Sequence, residues 1–277
     1  MGLRINTNVQ ALSAQRNLGI NNEAQKASLE KLASGSRINK ASDDAAGLAI
    51  SEKMRAGIRS VRQDIRNAND GISMIQTAEG GMSEIGNILV RFRELSIQAA
   101  SDTVTDVERG FMDKEVSQMH QEVNRIAAAT EFNGRKLLNG EGSALEIQIG
   151  QNNHAALDRF TFDTSKTNVT ANSLGVEGIS VGTKEKAQEN LGRIDMAMQQ
   201  LSGNRAEMGA LQNRLQSSVN SLQVYDENLS ASKSRIKDVD MASETSELTK
   251  NNILTQSNVS VLSQANQNNM IALKLLG

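Results

Sequence analysis

Residues 191–236 read LGRIDMAMQQLSGNRAEMGALQNRLQSSVNSLQVYDENLSASKSRI. Apolar residues return every seven positions without a miss: Ile194, Leu201, Met208, Leu215, Leu222, Leu229 and Ile236. Leu191, Met198 and Val219 fill part of the companion position three residues earlier. Arg205, Gln212, Asp226 and Lys233 take the rest of it. A sustained seven-residue apolar repeat predicts a long helix packed along its length in a coiled-coil-like bundle. At 1.5 Å per residue, Ile194 to Ile236 reaches roughly 60 Å, longer than a compact domain of this size is wide. The polar companion positions point to several packing neighbours along the helix rather than one ideal seam. Such a helix needs an antiparallel partner of equal length.

The first half of the chain supplies it. Ile58, Val61, Ile65, Ala68, Ile72 and Ile75, then Met82, Ile85, Leu89 and Phe92, recur at 3–4 spacing and mark a packed stripe. Glu79-Gly80-Gly81 interrupts it. Two glycines in a helix cost roughly 2 kcal/mol relative to alanine, so a bend or loosened turn is expected there. Upstream, Ser42-Asp43-Asp44 is placed to cap the helix start, where a side-chain oxygen takes an orphan amide and the carboxylates suit the positive end. Polar residues 101–106 end the helix, and a second one starts near Thr105-Asp106 with Met112, Val116, Met119, Val123 and Ile126 on one face. It closes in a segment holding two turn dipeptides, Asn133-Gly134 and Asn139-Gly140.

Composition agrees. Among 277 residues there is no Pro, Trp or Cys, and only 2% are aromatic. Absence of Pro suits long uninterrupted helices. Scarce aromatics remove the usual anchors of a substrate pocket. The 30 basic and 32 acidic residues are interspersed and leave a formal charge of −2, a solvated surface rather than a nucleic-acid-binding stripe. No run approaches the ~18 apolar residues of a membrane span. Residues 1–20 lack the pattern of a secretory signal, so any export is expected to take another route.

Residues 141–182 change character. Leu145, Ile147 and Ile149 alternate with polar residues, as do Phe160 and Phe162, which predicts a short β-hairpin or two. A region of about 40 residues holds no independent core without staples, so it must lie on the helices. Both ends of the chain are amide-rich with thin apolar stripes. Leu3, Ile5, Val9, Leu12, Leu29 and Leu32 stand at one end, and Leu248, Ile253, Leu254, Val259, Leu262, Leu273 and Leu276 at the other. Helices of this kind are marginal alone and order against partners. The fold class is mainly α: a long antiparallel helical bundle or coiled-coil rod with a small β-hairpin region inserted near the middle.

No catalytic constellation emerges. His120 and His154 stand in different contexts, and His120 is expected at the surface. HExxH, GxSxG, a phosphate loop and EF-hand spacing are all missing. Neither a cofactor nor a metal is implied, and the chain reads as a protein that works by assembling.

The segments LEKLASGSRINKASDDAAGLAISEKMR (29–55), DGISMIQTAEGGMSEI (70–85), RFRELSIQAA (91–100) and EFNGRKLLNG (131–140) resemble the N-terminal core of bacterial flagellin. ENLSASKSRIKDVDMASETSELTKNNILTQ (227–256) and the closing ALKLL resemble its C-terminal core. The resemblance covers nearly everything but 141–182, which corresponds to the variable outward-facing insertion. It favours flagellin over the hook–filament junction proteins of similar architecture.

The resemblance implies a filament subunit of the bacterial flagellum, secreted unfolded through the flagellar type III apparatus and polymerised under a distal cap. Its implied partners are itself, the cap, hook–filament junction proteins, an export chaperone and sister flagellins. It divides the chain into an inner core (1–42 and 237–277), an outer core (43–140 and 183–236) and the reduced variable region (141–182). The end-segment leucines, isoleucines and Val9 and Val259 are then subunit-interface positions, and the heptad from Ile194 to Ile236 packs the outer core. If a dozen of the end residues were buried on assembly, the gross gain would be on the order of 20–30 kcal/mol, less the costs of association and ordering. In flagellins the segment matching Leu89 to Ser96, with a glutamate on the next helix, is an axial contact and the target of the vertebrate Toll-like receptor for flagellin. Arg91, Leu95 and Glu115 occupy those positions, while Val90 and Phe92 depart from the commoner Gln and aliphatic residue.

Overall fold

The computed structural model describes residues 7–141 and 144–274, with side chains described up to residue 267. Its elements in chain order are α1 (Val9–Ser34), α2 (Ala45–Ala99), α3 (Asp106–Ala129), β1 (Glu131–Phe132), β2 (Arg135–Lys136), β3 (Leu145–Gln148), α4 (Ala155–Asp158), β4 (Arg159–Phe162), α5 (Lys184–Lys237) and α6 (Met241–Lys274). The protein is mainly α, and its strands form two small antiparallel pairs, β1–β2 and β3–β4. Contacts divide the chain into two compact units, with boundaries at Ile58/Arg59 and Glu227/Asn228, inside α2 and α5.

The unit spanning 59–227 is built on an antiparallel pair. Arg62 meets Asp226 at 3.1 Å, Glu79 meets Arg205 at 3.5 Å and Arg93 meets Asp195 at 2.8 Å, so α5 numbers fall as α2 numbers rise. Ile75, Met82, Ile85, Leu89 and Phe92 are fully buried along α2. On α5, Ile194, Leu201, Met208 and Leu215 are buried, whereas Leu222 is half-buried. Helix α3 adds Met112, Val116, Val123 and Ala127 to the same core.

Glu79-Gly80-Gly81 does not interrupt α2, which runs unbroken from Ala45 to Ala99. Gly81 has a packing reason instead: a Cβ there would lie 2.6 Å from Thr130 Oγ1 and 2.8 Å from Leu138 Cδ1. Helix α3 starts with a capping box, Thr105 accepting from the Glu108 amide while the Glu108 carboxylate accepts from Thr105 N–H at 2.8 Å. Asn133 (φ 51°) and Gly134 (φ 77°) form the two-residue turn of β1–β2, the pair of positive φ values that an Asn-Gly hairpin supplies.

The described residues of 141–182 hold one hairpin, β3–β4, with Leu145 opposite Phe162 and Ile147 opposite Phe160. After it the chain is irregular, yet Val169, Ala171, Leu174, Val176, Ile179 and Val181 are buried. Helices hold this stretch by its backbone: Asn124 Oδ1 accepts the Ala171 amide, Asp113 Oδ1 the Val181 amide, and Asn190 Nδ2 donates to Ser180 O. Asn168 Oδ1 accepts from both Thr170 N and Oγ1, so the Asn-Val-Thr triplet forms a side-chain-closed turn. His120 is half-buried rather than on the surface, with an Nε2 that is buried and unpartnered.

The second unit contains α1, the start of α2, the end of α5, and α6. Helices α1 and α6 run antiparallel: Asn8 Nδ2 donates to Ala265 O at 3.0 Å, Gln25 Nε2 to Asn252 Oδ1 at 2.7 Å, and Lys31 pairs with Glu244 at 3.9 Å. Gly35, in the left-handed region at φ 67°, ends α1. The links flanking the long helices then pair. Arg37 N donates to Lys237 O at 2.7 Å and Val239 N to Gly35 O at 3.1 Å. Asp44, not Asp43, caps α2 by accepting the Gly47 amide at 2.8 Å. Asp43 closes the preceding turn on the Lys40 amide and then the Asn39 amide, which hold its carboxyl below the usual range.

Candidate assembly surfaces

The α1–α6 pair has an inverted burial pattern. Among the described residues its buried positions are Ala14, Ser28, Asn251 and Ala265, small or polar residues that let the helices approach closely. Its large apolar side chains point outward. Val9 is 67% exposed, Ile253 61% and Leu12 54%, and Leu29, Leu254 and Val259 are also exposed. Leu32, Leu248 and Leu262 are half-buried. Leu3, Ile5 and Leu276 lie outside the described residues, as does the side chain of Leu273. An open groove of about 510 Å³ runs between the two helices, lined by Gln10, Asn17, Asn258, Val261 and Gln264 among others. A helix with one neighbour can cover only a fraction of a wide stripe, so the pair leaves apolar area in water that a further contact could remove. In the same unit, Leu229 and Ile236 of the heptad are half-buried.

The 59–227 unit carries a different surface where α2 meets α3. Arg91 Nε donates to Glu115 Oε1 at 2.9 Å and its Nη1 to Glu94 Oε2 at 3.0 Å. Glu115, and then Glu94, stabilise the guanidinium charge and raise its pKa. Leu95 is not part of this surface. It is 2% exposed, because it extends the core stripe three residues past Phe92. On the same two helices Val90 and Ile97 of α2 and Val107 and Phe111 of α3 are also exposed. Buried Arg109 donates Nε to Ala99 O at 2.8 Å and Nη2 to Ser101 O at 2.9 Å, closing the C-terminal end of α2. Nothing in the sequence pattern marks Arg109, and only one local spacing marks Glu94. The i,i+3 spacing of Arg91 and Glu94 was the available signal for the latter.

Among the described residues no group of three or more His, Cys, Asp or Glu side chains could hold a metal ion, and no helix is long and apolar enough to cross a membrane. A unit with a closed helical core and a unit whose helix pair leaves large apolar side chains exposed are together the features of a self-assembling structural protein. Comparison with known proteins makes this specific. Residues 5–143 match the family model for the bacterial flagellin N-terminal helical region, and residues 191–276 match that for the C-terminal helical region. A flagellin of Halalkalibacterium halodurans is 43% identical across 98% of this chain and 99% of its own length. A flagellin of Bacillus subtilis is 41% identical across 99% and 100%. The crystal structure of Bacillus cereus flagellin superposes with a TM-score of 0.51 at 30% identity, covering 57% of this chain and 88% of that one. The chain belongs to the bacterial flagellin family. It is a structural subunit that polymerises into the flagellar filament, the extracellular helical propeller of swimming, and not an enzyme.

Proposed function

We propose that the outward apolar residues of α1 and α6 are the filament's inner-core contacts, and that segments 1–42 and 237–277 act together as that core. The observation that carries this reading is the burial inversion: Val9, Leu12, Leu29, Ile253, Leu254 and Val259 face water while alanine, serine and asparagine fill the seam. Each added neighbour would bury part of that stripe, and heterologous contacts of this kind propagate as an open helix rather than closing into a ring. The heptad residues Ile194, Leu201, Met208 and Leu215 serve the outer core, with Leu222, Leu229 and Ile236 continuing its line.

The subunit is secreted, leaving the cell unfolded through the flagellar type III apparatus with an export chaperone guarding its ends. It adds beneath the filament cap, on a filament joined to the hook by junction proteins and open to sister flagellins. The surface around Arg91 and Glu115 makes axial contacts between subunits, and the vertebrate Toll-like receptor for flagellin recognises that same surface. Leu95 supports it from below as a core residue.

The test is electron microscopy of the purified protein before and after adding filament seeds or a precipitating salt, with circular dichroism alongside. Tubes of uniform diameter whose growth raises helicity are expected. Persistent monomers or short caps would overturn the inner-core assignment and favour a junction-type adaptor.

A further inference from the structure

Helix α2 carries a carboxylate on its buried face. Asp64 stands in the stripe between Val61 and Ala68, is 5% exposed, and has an Oδ2 with no hydrogen-bond partner. A buried, unpartnered carboxylate is strongly disfavoured as an anion and ordinarily responds by holding a proton.

The element packed on this part of α2 is the β3–β4 hairpin. Asn67, one turn on from Asp64, donates Nδ2 to Gln148 O at 3.0 Å. A Cβ on Gly71 would lie 2.7 Å from Ile147 Cδ1, so the hairpin side chain rests directly on the helix backbone. The hairpin brings a second buried carboxylate, Asp158, which is 8% exposed. Asp158 is fixed in place: its Oδ2 accepts the His154 amide at 3.0 Å, and its carbonyl accepts the amides of Ile149 at 2.8 Å and Gly150 at 3.1 Å.

The cations around this site are already engaged. On α2, Arg62 is paired with Asp226 of α5, and Arg66 is bonded to Gln63. On the hairpin, Arg159 is held by Glu146 and Gln148. From α5, the Arg214 guanidinium lies over the Phe160 ring, 4.6 Å from its centre. None of these bonds reaches Asp64 Oδ2.

We propose that Asp64 is a proton-operated latch: protonated, it lets the β3–β4 hairpin seat on α2, and ionised, it sets a buried negative charge beside Asp158 that lifts the hairpin away. Burial, and secondarily the charge of Asp158, push the Asp64 carboxyl above the usual aspartate range. A group whose folded pKa stands above its unfolded value contributes stability fully present below the unfolded value and lost as pH rises through the folded one. Docking of the segment between the two family-matched regions is therefore tight in acid and loosens across that window.

Hydrogen exchange of the full-length chain tests this, with rates at residues 145–149 and 159–162 corrected for intrinsic pH dependence. Opening of the wild-type hairpin should increase by about tenfold per pH unit through the window, the slope of a single proton. Asp64→Asn should flatten the profile and keep protection high, while the amides of α3 stay unchanged in both. Asp158→Asn should retain the slope and move the window to lower pH. An Asp64→Asn profile with the wild-type slope would overturn the latch. So would hairpin protection that rises on adding calcium at constant pH, which would assign the carboxylates to a cation. Should either variant fail to fold, carbon-13 NMR of the wild-type aspartate carboxyls decides alone. An Asp64 that titrates in the ordinary range refutes the proposal, and one displaced upward with the hairpin's exchange supports it.

Discussion

Helices α1 and α6 bury alanine, serine and asparagine against each other and leave valine, leucine and isoleucine in water. Helices α2, α3 and α5 do the reverse. Both arrangements use long helices with apolar residues at 3–4 spacing, so periodicity alone does not separate them. What differs is how many neighbours each helix has. In the 59–227 unit, three helices, the hairpin and the buried stretch from Val169 to Val181 surround a common core, and Phe92, Ile85 and Leu215 lose all contact with solvent. In the α1–α6 pair the described buried positions are small or polar, and the larger apolar side chains stay in water. The first arrangement is a closed core, and the second leaves its larger apolar side chains exposed.

Truncation is the most severe way to break that contrast. Removing residues 262–277 should abolish filament growth from seeds in electron micrographs while leaving most of the far-UV helical signal, since α2, α3 and α5 keep their core. If most of the helical signal disappeared, the 59–227 unit would be shown to depend on the ends, and the contrast would fail.

A matched pair of substitutions sharpens it further. Leu215→Ala deletes a fully buried side chain beside Gly71 and should lower monomer stability by about 2–5 kcal/mol in urea unfolding. Ile253→Ala removes a similar volume from a residue 61% exposed. It should change monomer stability by no more than about 0.5 kcal/mol, yet raise the protein concentration at which filaments appear. Equal losses of monomer stability in the two variants would place Ile253 in a core and contradict its exposure.

Much of the folded body was legible because its signals are periodic. The heptad from Ile194 to Leu215, the α2 stripe from Ile58 to Phe92 and the Asn133-Gly134 turn were each read from spacing or from a dipeptide with a physical reason. Leu95 shows the same rule prevailing over analogy: it follows Phe92 by three residues and so belongs to the core, although the resemblance placed it on a contact surface. Gly81 was read as a flaw in a helix because sequence carries no record of what approaches it, here Thr130 and Leu138. Arg109 and Asp64 were invisible for a related reason. A charged residue in a helix is normally solvated, and only the three-dimensional neighbours reveal that one caps α2 and the other is buried beneath a hairpin. The stretch from 163 to 182 has no period at all, since its backbone is satisfied by Asn124, Asp113 and Asn190 rather than by a ladder.

The smallest effect concerns how helices begin in the two units. Helix α3 starts with the Thr105–Glu108 capping box, whereas α1 starts with Asn8 accepting the Ala11 amide and has no acidic residue in its first turn. The Thr105 amide, and then its hydroxyl, hold the Glu108 carboxyl below the usual glutamate range. A carboxyl with a depressed folded pKa contributes stability present above its unfolded value and lost as pH falls through the folded one. Thr105→Ala should cost about 1 kcal/mol at neutral pH, seen in thermal unfolding of the monomer, and the deficit relative to wild type should shrink as the solution is acidified through that window. Asn8→Ala removes a cap of similar strength but no carboxylate, so its deficit should stay constant over the same acid range. If the Thr105→Ala deficit were equally constant, Glu108 would be contributing through its stem rather than its charge, and the two helix starts would be alike.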